Sequence, residues 1–175
     1  MINSDKFPLV SVIVLCYRNF RYVHDAIRSV LEQNYPNIEI VVSDDGSKNF
    51  PQREIGKFVQ DNKGKNIVSV KIKHHDQNVG TVKHLNKAVA LTSGEYVMSL
   101  SADDMIANSD VVTRYVQGLQ KHPECDILMA QTAMYDEDME DLQYYFVRPH
   151  IRDILQGEQK DDTLLKELVQ TPCLP

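Results

Sequence analysis

Two pairs of adjacent carboxylates, Asp44-Asp45 and Asp103-Asp104, each follow a short apolar run. Neighbouring carboxylates repel when ionised, and a divalent cation or a set of N–H and O–H donors is what makes such a pair tolerable. An oxygen-only ligand set favours hard ions, Mg2+ or Mn2+. One pair by itself serves equally well as a turn or a helix start. Two pairs, both placed after apolar strands, favour the functional reading. A third polar cluster, Tyr17-Arg18-Asn19, ends the first apolar run and adds an aromatic ring. A fourth, Asn78-Val79-Gly80, leads into a helical segment with Lys83, His84 and Asn86. A helix N-terminus offers free N–H groups to an anion, and glycine permits close backbone approach. Taken alone, that loop reads as readily as an ordinary helix start.

The elements that must position these clusters follow from the apolar periodicity. Leu9 to Tyr17 is a β-branched run too apolar to alternate, which predicts a strand covered on both faces. Val23, Ile27, Val30 and Leu31 recur at spacings of three and four and predict a helix, stopped at Asn34-Tyr35-Pro36-Asn37. Ile38 to Val42 is a second strand, and Pro51 to Asn62 a weaker helix with proline suited to its first turn. Ile67 to Ile72 alternates as an edge strand. Gly80 to Leu91 presents Val82, Leu85, Ala88 and Val89 on one helical face, and Tyr96 to Leu100 is a short strand. Val111 to Leu119 predicts another helix, and Asp126 to Met134 a further strand. Beyond them, Asp136 to Asp141 reads as a solvated acidic loop, Tyr144 to Val147 as a strand and Asp162 to Val169 as a short helix. The order βαβαβαβαβ predicts a doubly wound α/β domain with a mostly parallel sheet and helices on both faces. In such sheets ligands bind beyond the carboxyl ends of the strands, where the polar clusters fall.

Composition narrows the classes. A chain of 175 residues is expected to form a single domain, residues 1–175, and its net charge of −6 argues against a nucleic-acid partner. Three dispersed cysteines, Cys16, Cys125 and Cys173, predict reduced thiols and a cytoplasmic location, with Cys16 a buried small hydrophobe. No apolar run approaches the ~20 residues of a membrane helix, and no signal peptide is visible. His74 and His75 read as surface histidines at a strand end.

Together the clusters resemble family 2 glycosyltransferases. Pro8 to Asn19 resembles that family's opening strand and Tyr-Asn loop, and Ser29-Val30-Leu31-Glu32-Gln33 its Ser-x-Leu-x-Gln helix end. Asp44 to Ser47 matches its Asp-Asp-Gly-Ser motif, and Asn78 to Gly80 its Asn-x-Gly. Ser93-Gly94-Glu95-Tyr96 and Ser101 to Asp104 match its Ser-Gly-Glu-Tyr segment and Asp-x-Asp type motif. Order and spacing hold from Pro8 to about Ile106.

The resemblance implies a GT-A (Rossmann-like) fold and a nucleotide-diphosphate sugar donor, most often UDP-linked. It implies that Tyr17 lies against the base and that Asp44 or Asp45 hydrogen-bonds its ring. Asp103 is implied at the ribose or metal, and Asp104 as the principal ligand of Mn2+ or Mg2+. The acceptor implied is a glycan or a lipid-linked sugar in surface polysaccharide synthesis, with inversion and with transient contact at the inner face of the membrane. Ser101 stands where many members carry Asp, and Leu85 where they often carry Arg, so the expected diphosphate contact either comes from Lys83 or His84 or is absent. No residue is assigned as general base. The chain is expected to be a donor-binding part whose acceptor and base segment is missing. Two other classes compete: a non-catalytic nucleotide-binding module, and a receiver-like Mg2+-binding signalling domain. A receiver needs its acidic pair after the first strand, which here ends in Cys16-Tyr17-Arg18.

Overall fold

A computed structural model describes residues 7–130, 132–136 and 140–147. The chain divides into two compact units, Met1–Asp126 and Ile127–Pro175.

The first unit alternates strands and helices: β1 (Val10–Cys16), α1 (Val23–Leu31), β2 (Ile38–Asp44), α2 (Gln52–Asn62), β3 (Ile67–His74), α3 (Thr81–Val89), β4 (Tyr96–Ser101) and α4 (Val111–Lys121). The strands form one parallel sheet in the order β3-β2-β1-β4. The two central strands are almost entirely buried, as their unbroken apolar runs require, while β3 and β4 at the edges alternate or thin out. Because successive strand residues point to opposite faces, Val10, Val12, Val14, Ile38, Ile40 and Val42 meet Val23, Ile27 and Val30 of α1, Ile55 and Val59 of α2, and Val112 and Val116 of α4. Ile13, Val41 and Leu15 turn the other way, onto Ala88 and Leu85 of α3. Each fully buried Val or Ile contributes about 1.5–3 kcal/mol.

The face carrying α3 also holds a buried charge. Glu39, 1% exposed, accepts hydrogen bonds from the Ser11 hydroxyl at 2.6 Å and the Ser93 N–H at 2.8 Å, and lies 2.7 Å from the Lys71 ammonium. Lys71 also donates to the Leu91 carbonyl and the Ser93 hydroxyl, and the Gly94 N–H donates to Ser11 Oγ. A Cβ at Gly94 would lie 2.7 Å from Ser11 N and 2.8 Å from the Leu9 carbonyl oxygen. Ser93-Gly94 thus ties the entry to β4 to Glu39 of β2 and Ser11 of β1, which is a structural use of that motif.

Two expectations are corrected here. On α3 the inward face is His84 and Ala88, and Val82 is 73% exposed and Val89 41%. The reason is that the His84 ring finds the Ser43 hydroxyl at 2.8 Å, which satisfies a polar group on the buried side. The parallel sheet has four strands among the described residues, and the strand expected over Asp126 to Met134 does not join it. In the second unit β5 (Ala133–Tyr135) pairs antiparallel with β6 (Leu142–Tyr145), and the Asp136 carboxylate accepts the Glu140 and Asp141 N–H groups. The helix expected over 162–169 lies outside the described residues.

Candidate donor-binding site

In register, Leu15 aligns with both Ser43 and Ser101, and Cys16 with Asp44. Backbone bonds continue past the strand ends: the Asp45 N–H donates to the Cys16 carbonyl, the Ala102 N–H to that of Leu15, and the His75 N–H to that of Asp44, at 2.9–3.1 Å. Tyr17, Asp44-Asp45 and Asp103-Asp104 therefore emerge side by side from three adjacent strands, with β1 in the middle. The Cys16 thiol registers this crowding: burial, then the charges of Asp44 and Asp103, push it up to about 12.

The two acidic pairs are built differently. Asp44 is fully buried and accepts from the Ser47 N–H at 2.8 Å, the Ser47 hydroxyl at 2.6 Å and the imidazole Nδ1 of His74 at 2.8 Å. Ser47 Oγ in turn accepts the Arg18 N–H at 2.8 Å, which holds Arg18 in a left-handed conformation at φ 62°. Asp45, 2% exposed, accepts from the Asn78 amide and from the N–H groups of Val79 and Gly80, at 2.8–3.0 Å. Two N–H groups just ahead of α3, those of Val79 and Gly80, are thus occupied by this chain's own carboxylate. Gly46, at φ 76°, lets the two loops touch, since a Cβ there would lie 2.4 Å from the Gln77 carbonyl carbon.

Asp103 and Asp104 are exposed instead, and among the described residues no Lys or Arg pairs with either. Partial desolvation and the neighbouring Asp103 raise the Asp104 carboxyl above its ordinary range, against a smaller lowering by the Ser101 hydroxyl. Adjacent carboxylate oxygens open to solvent are of the type that hard divalent cations take. Among the described residues no cluster of three or more His, Cys, Asp or Glu side chains could hold a metal, so water and ligand oxygens would complete the sphere. Tyr17 is 40% exposed, and the Arg18 guanidinium lies 4.7 Å from its ring centroid.

His74 is the site residue that sequence reasoning left out. It is the last residue of β3, in register with Asp44, and its ring stacks on Phe50 at 5.7 Å. Parallel register alone, which lines up strand ends, was the available signal. Of the two alternative phosphate contacts, His84 faces inward onto Ser43 and beside His75, while Lys83 is exposed. Burial, followed by nearby Lys87, lowers the His75 ring below the ordinary histidine value. Burial also lowers that of His84, against an opposing pull from Asp45.

The profile described as glycosyl transferase family 2 matches residues 11–171. Glycosyltransferase GlyG of Streptococcus pneumoniae is 30% identical over 79% of this chain and 43% of its own length. Poly-beta-1,6-N-acetyl-D-glucosamine synthase of Staphylococcus epidermidis is 30% identical over 66% of this chain and 26% of its own. The chain spans under half the length of these curated relatives. Among solved structures, S. aureus TarS 1-349 in complex with UDP-GlcNAc superposes with a TM-score of 0.57 at 22% identity, over 74% of this chain and 38% of that one. The mannosyltransferase PcManGT of Pyrobaculum calidifontis, in complex with GDP-Man and Mn2+, gives 0.58 at 21% over 76% and 37%. Both share the GT-A fold with this chain.

Proposed function

The chain belongs to glycosyl transferase family 2, and from that premise we propose that it holds a nucleotide-diphosphate sugar, UDP-linked, at the carboxyl edge of its sheet. Tyr17 lies against the base. Asp44 and Asp45 shape the base pocket from beneath, through His74 and the Asn78–Gly80 loop. Asp103 faces the ribose or the cation, and Asp104 is the principal ligand of Mn2+ or Mg2+. Asp103 and Asp104 would hold a divalent cation, which would supply charge neutralisation for a diphosphate leaving group. The chain's own part is to orient base and ribose and to hold two carboxylates side by side.

The observation that carries this reading is the emergence of Tyr17, Asp44-Asp45 and Asp103-Asp104 from three adjacent parallel strand ends. The UDP-GlcNAc and GDP-Man complexes of structures with this fold support a nucleotide-sugar donor. The acceptor proposed is a glycan or a lipid-linked sugar in surface polysaccharide assembly, and the poly-beta-1,6-N-acetyl-D-glucosamine synthase of S. epidermidis supports the polysaccharide part of that reading. The whole protein is proposed to transfer the sugar with inversion, its base supplied from outside the segment resembling the donor half. Transient contact at the inner face of the membrane is part of the proposal; no helix among the described residues is long and apolar enough to cross a membrane.

Calorimetric titration with UDP, GDP and dTDP, with and without Mn2+, tests the proposal. UDP binding that needs Mn2+ and is lost in Asp104→Ala is expected. Because the Asp104 carboxyl is raised, Mn2+ should begin to be displaced by protons at a higher pH than from an ordinary carboxylate. Failure of all three nucleotides to bind with any divalent cation would refute it.

A further inference from the structure

Asp103, Asp104 and Met105 lie between two fixed points. On one side Ala102, 5% exposed, donates its N–H to the Leu15 carbonyl at 2.9 Å. On the other, Ile106, 8% exposed, donates its N–H to the Ser29 hydroxyl at 3.0 Å. The Ser29 hydroxyl itself donates to the Ala26 carbonyl at 2.7 Å, so it both accepts and donates.

The next residues are held from the same helix. The Gln33 amide is 3% exposed, and its Nε2 donates to the Asn108 carbonyl at 2.8 Å and the Ser29 carbonyl at 2.9 Å. Its Oε1 accepts the Val112 N–H at 3.1 Å. That N–H belongs to the first turn of α4, where the Asp110 carboxylate at the N-cap pairs with Arg114 and makes no capping bond, so Gln33 supplies the missing cap from another element. The Asn34 N–H adds a bond to the Ser109 carbonyl at 2.8 Å. The Gln33 carbonyl is in turn fixed by the Asn66 amide at 2.8 Å. An amide is the group that fits, since it offers two donors and an acceptor on one plane. A carboxylate would set its oxygens against two carbonyls, and leucine would leave a buried N–H and carbonyl without partners.

We propose that Ser29 and Gln33 are positioning residues for the cation-binding carboxylates: they clamp the segment from Ile106 to Val112 so that Asp103 and Asp104 are presented in one geometry. The inference rests on the donor-site reading and deepens it. Groups that orient a ligating carboxylate commonly change metal affinity 10–100-fold when removed.

The test uses the full chain and reads Mn2+ affinity by electron paramagnetic resonance with UDP present, alongside thermal melting. Gln33→Leu and Ser29→Ala are each expected to weaken Mn2+ about tenfold or more, and Ser29→Thr, which keeps the hydroxyl, to restore it. Val59→Ala, a cavity in α2 at a fully buried position away from the loop, should lower the melting temperature yet leave Mn2+ affinity unchanged. Should Gln33→Leu fail to fold, Ser29→Ala and Ser29→Thr carry the comparison. Wild-type Mn2+ affinity in Ser29→Ala and Gln33→Leu would overturn the proposal, as would an equal loss in Val59→Ala. If Asp104→Ala abolishes Mn2+ binding while those variants keep it, the clamp alone is wrong. If Asp104→Ala binds Mn2+ like the wild type, the donor-site reading fails and the clamp with it.

Discussion

Replacing Lys71 by methionine removes the one cation paired with Glu39 among the described residues while keeping the aliphatic stem. The Glu39 side chain is 1% exposed and would retain only the Ser11 hydroxyl and the Ser93 N–H. Stripping one partner from a fully buried pair costs about 3–5 kcal/mol. The Lys71 side chain is 37% exposed, so part of its attraction is already screened by water, and two donors remain. A loss of about 2–3 kcal/mol follows, or roughly 4–12 °C in melting temperature for a chain of this size. The pH dependence is the sharper reading. Burial alone would raise the Glu39 carboxyl, but the bonds from Lys71, Ser11 and Ser93 and the Lys71 charge outweigh it and hold it below the ordinary range. A depressed carboxyl adds stability above its unfolded value, and this is lost as pH falls through the folded value. Without Lys71 burial prevails, the value rises, and the charged form is penalised at neutral pH and relieved on acidification. Urea denaturation of both proteins should therefore show a gap that is widest near neutrality and narrows toward pH ~4. An equal gap at both pH values would refute the electrostatic account of this network.

Two further outcomes follow from single residues. Gly46→Ala forces a Cβ into the Gln77–Asn78 backbone at a φ of 76°, so a loss of about 2 kcal/mol or more is expected. Urea denaturation checks the stability, and UDP affinity should fall as the Asn78 loop shifts; an unchanged midpoint would count against the close approach. Cys16, its thiol pushed up to about 12 and its side chain buried, should resist iodoacetamide at mildly alkaline pH, while exposed Cys125 reacts. Peptide mass mapping after timed alkylation checks the order, and equal labelling of the two would contradict the burial.

The first four strands and their helices were legible because unbroken β-branched runs and spacings of three and four leave few alternatives. The motif positions were legible as well, since each ends or begins such a run. Roles inside the motifs were less so. Val82 and Val89 suit an inward helix face by hydropathy, yet His84 takes it because Ser43, forty-one residues earlier, offers a partner. The strand expected over Asp126 to Met134 was read from apolar content, and pairing partners, which local sequence does not name, put the nearby strand β5 on β6.

The same division runs through the candidate site. That two Asp-Asp pairs, a tyrosine and a glycine loop sit at strand ends was determined by the sequence itself, through periodicity and order. Only the tertiary structure decided which pair is spent on the protein. Asp44 and Asp45 are enclosed by donors from Ser47, His74 and the Asn78–Gly80 loop, whereas Asp103 and Asp104 remain open to solvent. Two carboxylates of identical chemistry differ in role because hydrogen-bond partners and burial depend on contacts between residues far apart in the chain, and those exist only once the strands are in register.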